Sequence, residues 1–231
     1  MNGLFPIDRS EAWRIPRLLN QRFGLSAAER AFGLTGSDVD GTQPFGSILR
    51  YGCPTDGVSD CTPAFDIAYS IATSDLVNGA RVYFPAIGTY YRFLTQPDDL
   101  TSRCVLYGDG MLGTALVRDY NGASSSVGLF NIRGDGEGIT VRDMAIRAGE
   151  TRTGGCAVSW VATPGFAVTM ARIENLRCTP LSGGTWDYDV VFDGSANPAS
   201  PLGVRAPVLV GCELFGGTLG AALVKSTMGF R

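Results

Sequence analysis

Histidine is absent from this 231-residue chain, and its absence removes whole classes of chemistry. Without imidazole there is no Ser-His-Asp or Cys-His nucleophile and no His-containing metal site. Any catalysis falls to carboxylates, arginine, tyrosine, the single lysine Lys225 or a bound ion. A field of one charge sign is also lacking: 19 basic residues face 22 acidic ones, too even a balance to hold nucleic acid or an anionic membrane. No apolar run reaches the roughly 18 residues that a membrane-spanning helix needs, so no membrane insertion is expected. The first residues, MNGLFPIDRSEAWRIPRLLNQ, are charged throughout and lack an apolar core with a small-residue cleavage site. They do not read as a secretory signal. A chain made without one folds among reducing thiols, so its six cysteines are expected to be free and mostly buried. The Cys53/Cys61 spacing does not match a zinc site and no second pair completes one. No metal and no cofactor is expected.

What is present in excess is glycine, 31 residues, which suits a backbone that turns sharply many times. Short apolar segments recur about every thirty residues, a period that signals a solenoid. They are Leu129 to Ile132, Ala157 to Val161, Tyr188 to Phe192 and Ala221 to Val224. Longer segments follow the first three: ITVRDMAI (139–146), VTMARIENL (168–176) and VLVGCELF (208–215). All are strand-length and rich in β-branched residues, too short for paired helices. The expected fold is all-β: a right-handed, single-stranded parallel β-helix in which each coil buries its inner face against the next. Matching Val141 to Ile173 places Arg142 beside Glu174 and Asp143 beside Asn175, as polar stacking between coils.

Residues 1–45 read as a separate helical N-terminal arm and linker, ahead of a β-helix domain over 46–231. Ile15-Pro16 opens one short helix that ends at Gly24, and Ser26 to Glu29 fits a capping box opening a second that stops near Gly33. TGSDVDGTQPFG (35–46) is linker-like. Phe5, Trp13, Phe23 and Phe32 give the arm more aromatic surface than so small a unit can bury, which points to docking on a partner. From Thr62-Pro63, an N-cap followed by proline, the apolar residues Ala64, Phe65, Ala68, Ile71, Ala72 and Leu76 recur at helical spacing. Strands are expected at 80–84, 90–94, 104–107 and 115–117.

The segment RYGCPTDGVSDCTPAFDIAYSIA (50–72), then GARVYFPAIGTYY (79–91) and VLYGDGMLGTALV (105–117), resembles the N-terminal part of the pectate-lyase-like family. The family pattern "YGAxGDGxxDdTxAiqxAi" matches at Tyr51, Gly52, Asp56, Gly57, Asp60, Thr62 and Ala64. Its "G-x-V-x-x-P-x-G-x-Y" strand matches at Val82, Pro85, Gly88 and Tyr90, and its "l-x-G-x-G" turn at Gly108 and Gly110. Cys61 replaces the usual acidic or polar residue, and Ala86-Ile87-Gly88 carries one extra residue. The resemblance implies that the helix after Thr62 plugs the end of a parallel β-helix. It also implies two kinds of role, polysaccharide lyases and hydrolases or bacteriophage tailspikes. The helical aromatic arm and the missing signal favour a structural tailspike-type protein. Such a protein would be a homotrimer, assembled in the host cytoplasm into the virion. Its partners would be tail or capsid proteins, and it would contact host surface polysaccharide. The alternative is a polysaccharide depolymerase, lyase or glycoside hydrolase, and a bacterial enzyme unrelated to phage is a third reading.

For catalysis, Asp187 and Asp189 stand two apart on an expected strand, roughly 6–7 Å between α-carbons. That approaches the about 6.5–9.5 Å between carboxyls at which inverting glycosidases admit a water. Trp160, Trp186 and Tyr188 are the aromatic candidates for stacking on sugars. The plainer reading is that the aspartates cap turns or line a solvated edge. Arg133 to Gly138 (RGDGEG) reads as an exposed turn rather than a calcium loop, because two carboxylates fall short of six to eight oxygens.

Overall fold

A computed structural model describes residues 23–74, 80–133, 138–163, 168–169, 171–194, 204–205 and 207–225. The fold is the expected parallel β-solenoid, entered through a short helical cap. Helix α1 (Ala27–Ala31) has the expected capping box, with Ser26 Oγ accepting from the Glu29 amide and the Glu29 carboxylate accepting from the Ser26 amide. A 3-10 turn, η1 (Ile48–Tyr51), follows, and then helix α2 (Thr62–Ser74). The first of the helices expected in the arm, together with Phe5 and Trp13, lies outside the described residues, as do Asp135 and Glu137 of the RGDGEG turn.

Residues 23–45 are fastened to the cap by a buried ion pair. Arg50 Nε meets Glu29 Oε1 at 2.5 Å, and both side chains are inaccessible to solvent. The guanidinium also donates to the carbonyls of Gly24 and Gln43, and Tyr51 Oη donates to Glu29. Burial alone would raise the Glu29 carboxyl, but the bonds from Arg50 and the Ser26 amide outweigh it and hold it below the usual value. A charge with every lone pair occupied is the form in which burial is tolerated.

Helix α2 is the stopper. Burial works against ionisation of Asp60, but its carboxylate accepts from Thr62, Leu94 and Thr95, which lowers its pKa and fixes the helix start. Pro63 sits in the first turn, where its missing N–H costs nothing. Fully buried Phe65 meets Phe84, Phe93 and Phe130, with ring centroids 5.9, 5.9 and 5.4 Å away. One side chain thus covers strands from different faces of the solenoid. Tyr69 Oη accepts from the amides of Thr101 and Ser102, tying the far end of the helix to a loop.

Strands β1 (Arg81–Phe84), β2 (Tyr91–Phe93), β3 (Val105–Gly108) and β4 (Ala115–Arg118) begin the winding, followed by β5 (Gly128–Arg133) and β6 (Thr140–Ala148). Then come β7 (Cys156–Val161), β8 (Val168–Thr169), β9 (Arg172–Pro180) and β10 (Tyr188–Asp193). The last are β11 (Val204–Arg205), β12 (Val208–Val210), β13 (Glu213–Leu214) and β14 (Gly220–Lys225). Among the described residues every strand pairing is parallel. The largest sheet runs β1-β3-β6-β9, with β12 and β13 on β9 and β4-β2 on the second half of β6; a four-stranded sheet is β5-β7-β10-β14, and β8 pairs with β11 in a third. The registers give vertical ladders, Val82↔Leu106↔Val141↔Ile173↔Leu209 in the largest sheet and Phe130↔Val158↔Val190↔Ala222 in the four-stranded one. Val141 does lie on Ile173, as the coil matching requires. Strands β5, β7 and β10 are buried on both faces, which is why they read as continuous apolar runs instead of alternating ones.

A bend divides β6 and β9 into two halves. At each bend one residue takes the left-handed conformation: Asp143 (φ 57°), Asn175 (φ 47°) and, in the next layer, Gly211 (φ 64°). These are the residue types that accept that region most readily. Asn175 Nδ2 donates to Asp143 Oδ1 at 2.9 Å, so the corner is also stitched vertically. Asn175→Val is expected to lower the unfolding free energy by about 1–2 kcal/mol, because a β-branched residue bears the full left-handed penalty. Asn175→Gly should lose less, since glycine accepts the conformation and only the bond to Asp143 is removed. Urea midpoints of the two variants check this.

Candidate functional site

The carboxylates singled out from sequence do not form a catalytic pair. Asp189 lies within β10 with no solvent exposure, accepting from Trp186 Nε1 at 2.7 Å and from the Gly216 amide at 2.6 Å. Burial pushes its pKa above the usual carboxylate range, and those two bonds only partly oppose it. Asp187 precedes the strand and accepts from Ser125 Oγ at 2.8 Å. The two groups are spent on different structural tasks, tying β10 to its neighbours, and they do not flank one open space.

The aromatic candidates need the same correction. Trp160 is 1% exposed and stacks on Phe192 of the next layer, with centroids 5.3 Å apart, so neither face of its ring is open to a sugar. Trp186 is equally buried; its edge lines a hollow of about 210 Å³ with Pro180, Gly216 and Thr218, below the about 300–1,000 Å³ usual for ligand sites. Tyr188 is half-buried, with its ring against Gly220. In the arm, Phe23 packs edge-on against Phe45, and Phe32 is 49% exposed. Among the described residues no three His, Cys, Asp or Glu side chains group to hold a metal ion.

A different surface has the makings of a site: the outer face of the largest sheet. Register places Tyr83, Tyr107, Arg142, Glu174 and Val210 in one row across five strands. Tyr83 and Tyr107 stack with centroids 4.9 Å apart, and the Arg142 guanidinium lies over the Tyr107 ring at 5.7 Å. Tyr83 Oη donates to Asp109 Oδ1 at 2.6 Å; burial, reinforced by that bond, pushes its pKa up to about 12. The other Asp109 oxygen accepts from the Ala86 amide. These contacts fix the aromatic pair rigidly on a sheet, which is the support that a binding surface needs.

A second row, past the bend, is Arg92, Val117, Arg147 and Thr179. Arg92 pairs with Asp119 at 3.4 Å, and nearby Arg177 pairs with Glu213 at 3.2 Å. The Nε atoms of Arg92, Arg147 and Arg177 are all shielded from solvent without a hydrogen-bond partner, and of the three Arg147 has no ion pair among the described residues. Unpaired buried donors are uncommon and call for an explanation. Guanidinium groups on the same sheet as stacked tyrosines, Arg142 over the Tyr107 ring and Arg147 past the bend, suit an acidic sugar: the fork matches a carboxylate, and the rings match the apolar face of a pyranose.

Sequence reasoning missed this face, although its signal was present. Alternation within ARVYF (80–84) and CVLY (104–107) puts Val82, Phe84 and Leu106 inward, and therefore Tyr83 and Tyr107 outward. What was missing was the register that stacks the two tyrosines.

No family model matches the sequence, and no curated protein matches it. Two solved structures show a likeness in shape. One is the A-module of mannuronan C-5 epimerase AlgE6 from Azotobacter vinelandii, 19% identical, with a TM-score of 0.43 over 63% of this chain and 40% of that one. The other is the A-module of mannuronan C-5 epimerase AlgE4 from the same organism, 17% identical, with a TM-score of 0.31 over 72% of this chain and 58% of that one. The chain thus spans less than two thirds of either. The fold assignment rests on the strand registers above, and neither likeness bears on activity.

Proposed function

We propose that this chain is a structural β-helix of the bacteriophage tailspike type, whose largest sheet holds an acidic polysaccharide on its outer face without cutting it. The observation that carries this reading is the row Tyr83, Tyr107 and Arg142, rigidly stacked across successive layers on the same sheet as the unpartnered Arg147. The family-like segment over 50–117 supports the β-helix of such a spike, and the aromatic arm ahead of it favours the spike over the enzyme reading. Asp187 and Asp189 are engaged elsewhere, which favours holding over hydrolysis. The spike would be a homotrimer carried on the virion.

The test is titration of the full chain with a polyuronate and with a neutral dextran, alongside an assay for new reducing ends and unsaturated uronate. Binding of the polyuronate alone is expected, without turnover. Tyr107→Ala and Arg147→Ala should each weaken it about tenfold, the size of one lost stacking or charge-assisted contact. Equal affinity in both variants would remove this face from the function, and turnover would favour the depolymerase. Detection of the chain in purified virions, at a mass of three copies by light scattering in solution, tests the spike assignment separately.

A further inference from the structure

We propose that Cys53 and Cys61 are a modification site, a thiol pair that closes to a disulfide in an oxidising medium and locks the stopper helix to the segment beneath it. Both thiols are buried, at 6% and 1% exposure. Both reach one acceptor: Cys53 Sγ lies 3.7 Å and Cys61 Sγ 3.6 Å from the Pro54 carbonyl oxygen. The mutual influence of the two buried thiols raises the Cys53 pKa and lowers that of Cys61. None of the other four cysteines shares an acceptor with another thiol among the described residues.

The pair also stands out against the family-like pattern. Cys53 occupies the alanine position of that pattern and Cys61 its acidic or polar position, and both reach the same Pro54 carbonyl. Their places in the fold give the bond a consequence. Cys53 follows η1, which carries Arg50 and Tyr51, the residues that bind Glu29. Cys61 immediately precedes α2, and its amide donates to the Arg92 carbonyl. Between them runs an exposed loop, turned at Asp56, whose carboxylate accepts from the Val58 and Ser59 amides, and at Gly57 (φ 71°). The loop is the approach for a small oxidant, here oxidised glutathione. One thiolate attacks a glutathione sulfur and releases one reduced glutathione. The second thiol then displaces the other glutathione, forming the Cys53–Cys61 bond. Two protons leave the protein thiols and end on two glutathione thiols. The pair is therefore poised to change state between a reducing and an oxidising compartment.

Trypsin makes the test direct. The peptide between Arg50 and Arg81 holds Cys53 and Cys61 and no other cysteine. The full chain is incubated with oxidised glutathione, denatured, alkylated and digested. Peptide 51–81 is expected without alkyl groups and lighter by two hydrogens, and with two alkyl groups after dithiothreitol. The oxidised protein should melt roughly 5–10 °C higher, the gain expected for closing a short loop, and fall back on reduction. Two alkyl groups on the peptide after oxidation would overturn the proposal, as would a persistent glutathione adduct. Cys53→Ser should abolish the melting shift; an undiminished shift in that variant would remove the locking role.

Discussion

Arg50→Met is expected to cost about 3–5 kcal/mol, because it leaves the Glu29 carboxylate buried without its counter-charge. Neither side chain reaches water in the wild type, and Arg50 alone bridges Glu29 to the carbonyls of Gly24 and Gln43. Removing it therefore frees residues 23–45 from the cap as well as leaving a charge unpaired. The pH dependence gives a signature. In the wild type the folded Glu29 pKa is depressed, so its contribution is present above the ordinary glutamate value and is lost as pH falls through the lower folded value. In Arg50→Met burial is opposed only by the bonds from the Ser26 amide and Tyr51 Oη, so the folded pKa is higher than in the wild type and the variant gains relative stability as acid neutralises the carboxyl. The gap between the two proteins should be widest near neutrality and close as pH drops toward 4. Urea unfolding at several pH values measures it, and a pH-independent gap would mean that the loss is one of packing alone. The double variant Glu29→Leu with Arg50→Met should recover part of the loss, since apolar residues of similar size often replace a buried pair without penalty.

Phe65→Ala should be comparably damaging, at about 3–5 kcal/mol. The ring is fully buried and touches Phe84, Phe93 and Phe130, so its loss opens a void under the stopper that rigid strands cannot collapse to fill. Hydrogen exchange should quicken first in β1, which lies nearest the cap, before β9. Phe32→Ala, at 49% exposure, is the matched control and should shift stability by less than about 0.5 kcal/mol. Equal effects of the two substitutions in thermal or urea melts would show that α2 does not close the solenoid.

The other end has a different character. Ile173 is fully buried in its ladder, whereas Leu209 above it is 38% exposed; Phe192 is 1% exposed and Val224 above it 38%. Each winding depends on the next for cover, so the last described layer carries apolar groups that its predecessors hide.

The strands were legible because a solenoid repeats its burial. Phe130, Val158 and Val190 face the same environment one winding apart, so the same kind of residue is required at each, and periodicity survives in the sequence. The stopper was legible for a similar reason: Thr62-Pro63 and the apolar positions after it are local signals, set within one helix. The capping box at Ser26 and Glu29 was local too. That Glu29 would be neutralised by Arg50 was not readable, because the partner lies beyond a linker that carries no periodic pattern.

The site candidates show the limit most plainly. Trp160 and Asp189 were candidates by residue type, yet β7 and β10 are buried on both faces, so a tryptophan there stacks on Phe192 and an aspartate there serves an indole N–H. Composition cannot tell such a strand from one open to water. The amino-acid order alone therefore determined that the chain winds as a parallel solenoid and where its helix closes it, since both follow from short-range patterns repeated or capped locally. Tertiary structure alone decided which polar and aromatic groups face solvent together. Tyr83, Tyr107 and Arg142 meet only through the register between distant windings, and that register is fixed by packing of the inner side chains, not by the outer residues it brings into line.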